Sequence, residues 1–149
     1  MNIKYISTHS NLDQSISYQL LNEIDEEIGT AEGFVSQYGE LVTVIKVFSP
    51  DFKKKGIGFN AFKKIFDELN IIVPINTIKG SWHKGEEFRD FEDGMSTNMK
   101  VFLSCLKEEN NKNKCVFNTP TGKWAQKLGY VNYSNLLIST NEISVNYIK

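Results

Sequence analysis

The residues predict an α/β protein: a mixed, mostly antiparallel sheet with a central parallel pair and helices packed on it. Three observations carry this. The first half of the chain alternates apolar and polar residues with a period of two, as half-buried strands do. A strand-like run at 40–49 is followed by apolar residues at helical spacing and then by a second apolar run at 70–76. Strand, helix, strand implies a crossover between parallel partners. The last third passes from helical spacing to two closing strand-like runs, about 130–139 and 142–148. A chain of 149 residues suits one domain, which at this size buries about 70% of its unfolded surface.

Element by element, Ile3 and Tyr5 alternate with polar neighbours, and Ile16, Tyr18 and Leu20 repeat the pattern. A weaker strand at 28–37 ends in the turn-forming QYGE and forms a hairpin with ELVTVIKVFS at 40–49, which is dense in β-branched residues. Pro50 ends that strand. Phe59, Phe62, Ile65, Phe66 and Leu69 then fall on one face of an amphipathic helix. The nearly all-apolar NIIVPIN, 70–76, reads as a short buried central strand whose pairing Pro74 limits. GSWHKGEEFRDFEDG is irregular or weakly helical. A helix from about Thr97 to Leu106 presents Met99, Phe102, Leu103 and Leu106, with Ser96 or Thr97 as its cap. The polar EENNKNK, 108–114, reads as a surface loop. NTPTGKWAQKLGY is a short helix with Thr119 as N-cap, Pro120 in its first turn and Gly129 just past its end.

Charge and composition narrow the function. The chain carries 17 basic against 18 acidic residues, so it does not coat nucleic acid by bulk charge. A binder using Lys53–Lys55 with Lys63 and Lys64 is the least favoured reading, because the interleaved exposed aromatics of such surfaces are missing. MNIKYISTHS has no apolar core of a secretory signal, and no apolar run is long enough to span a membrane. A cytoplasmic protein is expected. Cys105 and Cys115 lack CxxC spacing or a nearby His, so no metal site is expected and both are read as reduced thiols.

The chemistry concentrates at SPDFKKKGIGFNAF, 49–62. A helix N-terminus carries about half a positive charge, so Lys53, Lys54 and Lys55 in front of it are unfavourable unless an anion joins them. A strand turning through glycines into a helix leaves outward N–H groups, which together make an anion site. Gly56 and Gly58 remove side chains that would hold a phosphate off the backbone. The pattern G-x-x-x-x-G-K-[ST] is absent. Gly56, Gly58 and Ala61 mimic the dinucleotide pattern, but the preceding strand follows a hairpin, and no acidic residue ends the next strand to hold a ribose. The plain alternative is a solvated lysine run before a helix.

VFSPDFKKKGIG resembles the acyl-CoA signature of the GNAT acetyltransferase superfamily, in which a strand ending V-x-x-P precedes [QR]-x-x-G-x-[GA] at a helix start. Lysine stands here for the usual Gln or Arg. The resemblance covers residues 28–76 well and the rest loosely. It implies a single GNAT-like domain, its sheet splayed at the central parallel pair with helices on both faces, and acetyl-CoA as cofactor. It assigns Val47 and Ser49 at the strand end to the pantetheine arm, and Lys54, Lys55, Gly56, Ile57 and Gly58 to the pyrophosphate, with Phe48 and Lys53 also among the cofactor-binding residues. The activity implied is transfer of an acetyl group to a primary amine, on a small molecule or a protein, by direct attack in a ternary complex. The N–H of Val47 or Phe48 would face the developing oxyanion.

The acid and base are less fully specified. Val42 stands where some members of the superfamily carry Glu, which leaves Glu40, on the same strand face, as one candidate base and His83 as another. Their plain readings are a solvated carboxylate and a surface or capping histidine. Many members carry a tyrosine acid, but the two ways of threading its motif place Cys105 or Ala125 there. Cys105 is thus the candidate acid, and packing is its plain reading. The acceptor is expected near Glu40, Trp82, His83 and the closing strands, with Trp82 and Phe88 shaping the pocket. The competing function is a catalytically degenerate CoA-binding or protein-interaction module. A looser resemblance of 78–130 to C-terminal toxin regions of Rhs-type polymorphic proteins points the same way, toward an effector or toxin-associated role. The β-branched closing strands are able to pair between two copies in a homodimer, as edges do.

Overall fold

The computed structural model describes residues 2–8, 14–48, 56–85 and 95–149. The chain divides into two compact units, Met1–Asn76 and Thr77–Lys149.

The first unit is a four-stranded meander with one helix. Strands β1 (Lys4–Ser7), β2 (Ser15–Leu21), β3 (Glu27–Val35) and β4 (Glu40–Val47) pair antiparallel in sequence order. Helix α1 (Ile57–Ile72) lies against it with Phe62, Ile65 and Leu69 fully buried. Gly33 of β3 permits this approach, because a Cβ there would stand 2.3 Å from Ile65 Cγ2. A second anchor is polar. Tyr18 donates to Glu68 Oε2 at 2.6 Å, and Lys64 reaches Glu68 Oε1 at 2.8 Å while lying over the rings of Tyr5 and Tyr18.

The run 70–76 is not the strand its composition suggested. Helix α1 continues to Ile72, with Val73 N–H bonded to the Leu69 carbonyl, and Ile71 and Ile72 face solvent at 85% and 48% exposure. A short apolar run does not by itself distinguish a strand from a helix end. Pro74 ends the helix by forcing Val73 into extended backbone, φ −135°. Asn70 and Asn76 then shape the exit: Ile75 N–H donates to Asn70 Oδ1, and Asn76 bonds the carbonyls of Gly39 and Tyr38. The strand that follows begins at Thr77.

The second unit holds β5 (Thr77–His83), α2 (Thr97–Glu109), α3 (Lys112–Asn118), α4 (Pro120–Lys127), β6 (Asn132–Ile138) and β7 (Glu142–Ile148). Both β5 and β6 pair antiparallel with β7. GSWH therefore belongs to a strand, and the remainder of the stretch it opens lies outside the described residues from 86 on. Ser96 caps α2, and Thr119 caps α4 ahead of Pro120, as its sequence foretold.

EENNKNK is not a loop but the junction of two helices. Asn110 adopts the left-handed conformation that ends α2, and Asn111 caps α3 by accepting from Lys114 N–H. This short junction brings α2 and α3 together, and their buried Cys105 and Cys115 form a disulfide with Cα atoms 5.5 Å apart. The two reduced thiols expected from the sequence are thereby corrected. No helix among the described residues is long and apolar enough to cross a membrane.

Candidate functional site

The signature stretch is built by the first unit. Strand β4 leads toward it and α1 leads away from it. Of the residues assigned to the cofactor, Ser49, Lys53, Lys54 and Lys55 lie outside the described residues, while Val47, Phe48, Gly56, Ile57 and Gly58 are described.

Hydrogen-bond alternation along β4 separates the two backbone donors. Phe48 N–H donates to the Ile28 carbonyl at 2.9 Å, which places residues 42, 44, 46 and 48 at the bonded positions facing β3. Phe48 N–H is therefore already committed. Val47 turns its N–H and C=O to the opposite edge of β4, so it is the strand-end residue with backbone groups directed away from β3.

At the far side of the loop, Gly56 enters α1 with φ 75°, in the left-handed region where glycine carries no side-chain penalty. Among the described residues no side chain caps this helix, and its first turn holds no acidic residue. Asn60 N–H makes the first intrahelical bond, to the Gly56 carbonyl at 3.0 Å. The N–H groups of the opening turn have no intrahelical acceptor, and the helix dipole adds to their positive potential. Such a terminus is chemically suited to an anion. Lys63 and Lys64, further along the helix, pair instead with Asp67 and Glu68.

Of the candidate catalytic side chains, Glu40 belongs to this unit, and His83 and Cys105 to the second. Glu40 opens β4 at the hairpin, where its N–H and carbonyl bond Ser36. Seven residues of extended strand, at about 3.3 Å each, put it roughly 23 Å from Val47. His83 ends β5 in the second unit. Its Nε2 stands 3.1 Å from Ser81 Oγ and 3.8 Å from Glu142 Oε1, both partners at the same nitrogen, so no Ser–His–Glu relay runs through the ring. Trp82 is 5% exposed and packs on Phe102, and as His83's neighbour on a strand it points to the opposite face. It is core rather than a pocket wall. Phe88 lies outside the described residues.

Cys105, the candidate acid, has no thiol proton while bonded to Cys115. Ala125 at the other threading is fully buried. The buried Tyr147 is no substitute: its hydroxyl donates to the Val116 carbonyl at 2.6 Å, and burial raises its pKa well above the ordinary tyrosine value. The sequence reading missed Ile28, whose carbonyl decides between Val47 and Phe48, and no residue-type signal identifies such a backbone acceptor.

No family model and no curated protein matches the chain. Its fold does have solved counterparts. An aminoglycoside 6'-N-acetyltransferase in complex with coenzyme A superposes with a TM-score of 0.51 at 13% identity, over 91% of this chain and 73% of that one. The loading GNATL domain of CurA from Lyngbya majuscula gives 0.51 at 12% identity, over 89% and 75%. The class defined by this architecture is therefore the GNAT fold, α/β with mostly antiparallel strands. At such identities the likeness is one of fold.

Proposed function

We infer that the chain binds acetyl-CoA at the β4 end and α1 N-terminus, and transfers the acetyl group to a primary amine in a ternary complex. The uncapped α1 N-terminus, preceded by the left-handed Gly56 and a lysine trio, is the observation that carries this reading. The GNAT fold supports it, since one solved counterpart is complexed with coenzyme A. Acetyl-CoA would supply the activated thioester. Val47, with Phe48 and Ser49, would hold the pantetheine arm, and Lys53 through Gly58 the pyrophosphate. Val47 N–H would donate to the thioester carbonyl oxygen as negative charge builds on it, which needs no side chain at that position. The amine must arrive neutral, by way of a base or by its own ionisation.

A second reading has a specific observation in its favour. Cys105 is oxidised and Ala125 is apolar, so neither threading supplies a proton donor, and Glu40 lies a strand's length from Val47. That arrangement suits a CoA-binding module without turnover.

Calorimetric titration with acetyl-CoA tests the first reading, beside a Lys53→Ala/Lys54→Ala/Lys55→Ala variant and a Gly56→Val/Gly58→Val variant checked for folding by circular dichroism. Saturable binding weakened by the lysine variant and lost in the glycine variant supports the site. No heat from the native protein rejects both CoA readings. Release of free CoA thiol across a panel of amines then separates transferase from silent binder.

A further inference from the structure

The disulfide lies beside an open groove. A cavity of about 370 Å³ runs along α2 and α3, lined by Lys100, Ser104, Cys105, Glu108, Glu109 and Lys114 among others. The bridge presents itself to this groove from one side only. Cys105 lines it and is 7% exposed, whereas Cys115 is 0% exposed and belongs to the core. The rim carries both charges, with Lys114 paired to Glu109 at 2.6 Å, and the volume suits a small peptide-sized molecule bearing carboxylate and ammonium groups.

We propose that Cys105 is a thiol-exchange site, at which a low-molecular-weight thiol entering this groove opens the Cys105–Cys115 bridge. The thiolate sulfur attacks Cys105 Sγ. A new S–S bond forms there as the Cys105–Cys115 bond breaks, and its electron pair leaves on Cys115 Sγ, which takes a proton from water. A second thiol attacking the mixed disulfide frees Cys105 and departs as the oxidised dimer. Direction follows from access, because exchange requires approach to the attacked sulfur and Cys115 offers none. The covalent tie between α2 and α3 thus becomes a latch that responds to the thiol poise around the protein.

The test uses the folded full-length chain and reduced glutathione, quenched with acid at intervals, alkylated and mapped by peptide mass spectrometry. One glutathionyl mass on the Cys105 peptide, with Cys115 alkylated, is expected. An adduct on Cys115, equal labelling of both, or a bridge that opens only after urea unfolds the chain would overturn the proposal. Oxidised glutathione with single variants covers the case in which the mixed disulfide turns over too fast to collect. Folded Cys115→Ser should gain one glutathionyl group and folded Cys105→Ser none. Failure of Cys115→Ser to label, or equal labelling of the two, overturns it as well. If either variant does not fold, the wild-type map decides.

Discussion

Reducing the Cys105–Cys115 bridge should lower stability by an amount that its loop length sets. The two cysteines are 10 residues apart, and closing a loop of that size removes about 9 cal/mol/K of chain entropy from the unfolded state. At 25 °C this is about 2.7 kcal/mol. Melting entropy is about 2.1 cal/mol/K per residue, so if the whole chain unfolds in one step the melting temperature should fall by about 9 °C. If Thr77–Lys149 melts as a separate transition, the same free energy falls on roughly half the entropy, and that transition should shift by about 17 °C with the other unmoved. Differential scanning calorimetry with and without a phosphine reductant measures this, with a thiol titration confirming oxidation before and reduction after. A confirmed reduction that moves no transition by more than about 2 °C would refute the entropic argument.

Two further perturbations probe one unit each. A Cβ on Gly122 would stand 2.2 Å from the Val116 carbonyl oxygen and 2.8 Å from Phe117 Cα, both backbone atoms that cannot turn aside. Gly122→Ala should cost about 1–3 kcal/mol in urea unfolding, whereas Gly85→Ala, with nothing among the described residues within 4 Å, should stay within about 0.5 kcal/mol. In the first unit, burial, then the hydrogen bond to Glu68 and its charge, push Tyr18 up to about 12. A pKa raised on folding contributes stability that is complete below the unfolded value, about 10, and is lost as pH rises through the folded one. The urea midpoint should therefore fall between about pH 10 and 12, and Tyr18→Phe should remove Tyr18's share of that slope, leaving the shares of Tyr5, Tyr130 and Tyr147, which burial also raises.

Elements whose signals are local were legible in the chain itself. The face formed by Phe62, Ile65, Phe66 and Leu69 defines α1, and Thr119, Pro120 and Gly129 bound α4, because a helical period and its caps are written within a few residues. The strand-proline-lysine-glycine order around Gly56 likewise pointed to an anion and to a fold whose solved counterparts superpose. The fate of the candidate acid was not legible in the same way. Nothing near Cys105 in the chain marks Cys115 as its partner, whereas the roughly 23 Å from Glu40 to the strand end follows from counting along the predicted strand.

What the sequence determined by itself is where helices and strands are nucleated, since period, caps and glycine placement act over one or two turns. Three things were left to tertiary structure. Residues 70–72 extend a helix because the buried face of α1 runs up to them and only Pro74 stops it. Cys105 meets Cys115 because two asparagines fold α2 back on α3. Val47, and not Phe48, directs its backbone away from β3 because the register with β3 gives the Ile28 carbonyl to Phe48. The last two depend on a partner brought close by the fold, which leaves no mark on the residues beside it, and the first on the continuity of one helix, which a short apolar run does not reveal.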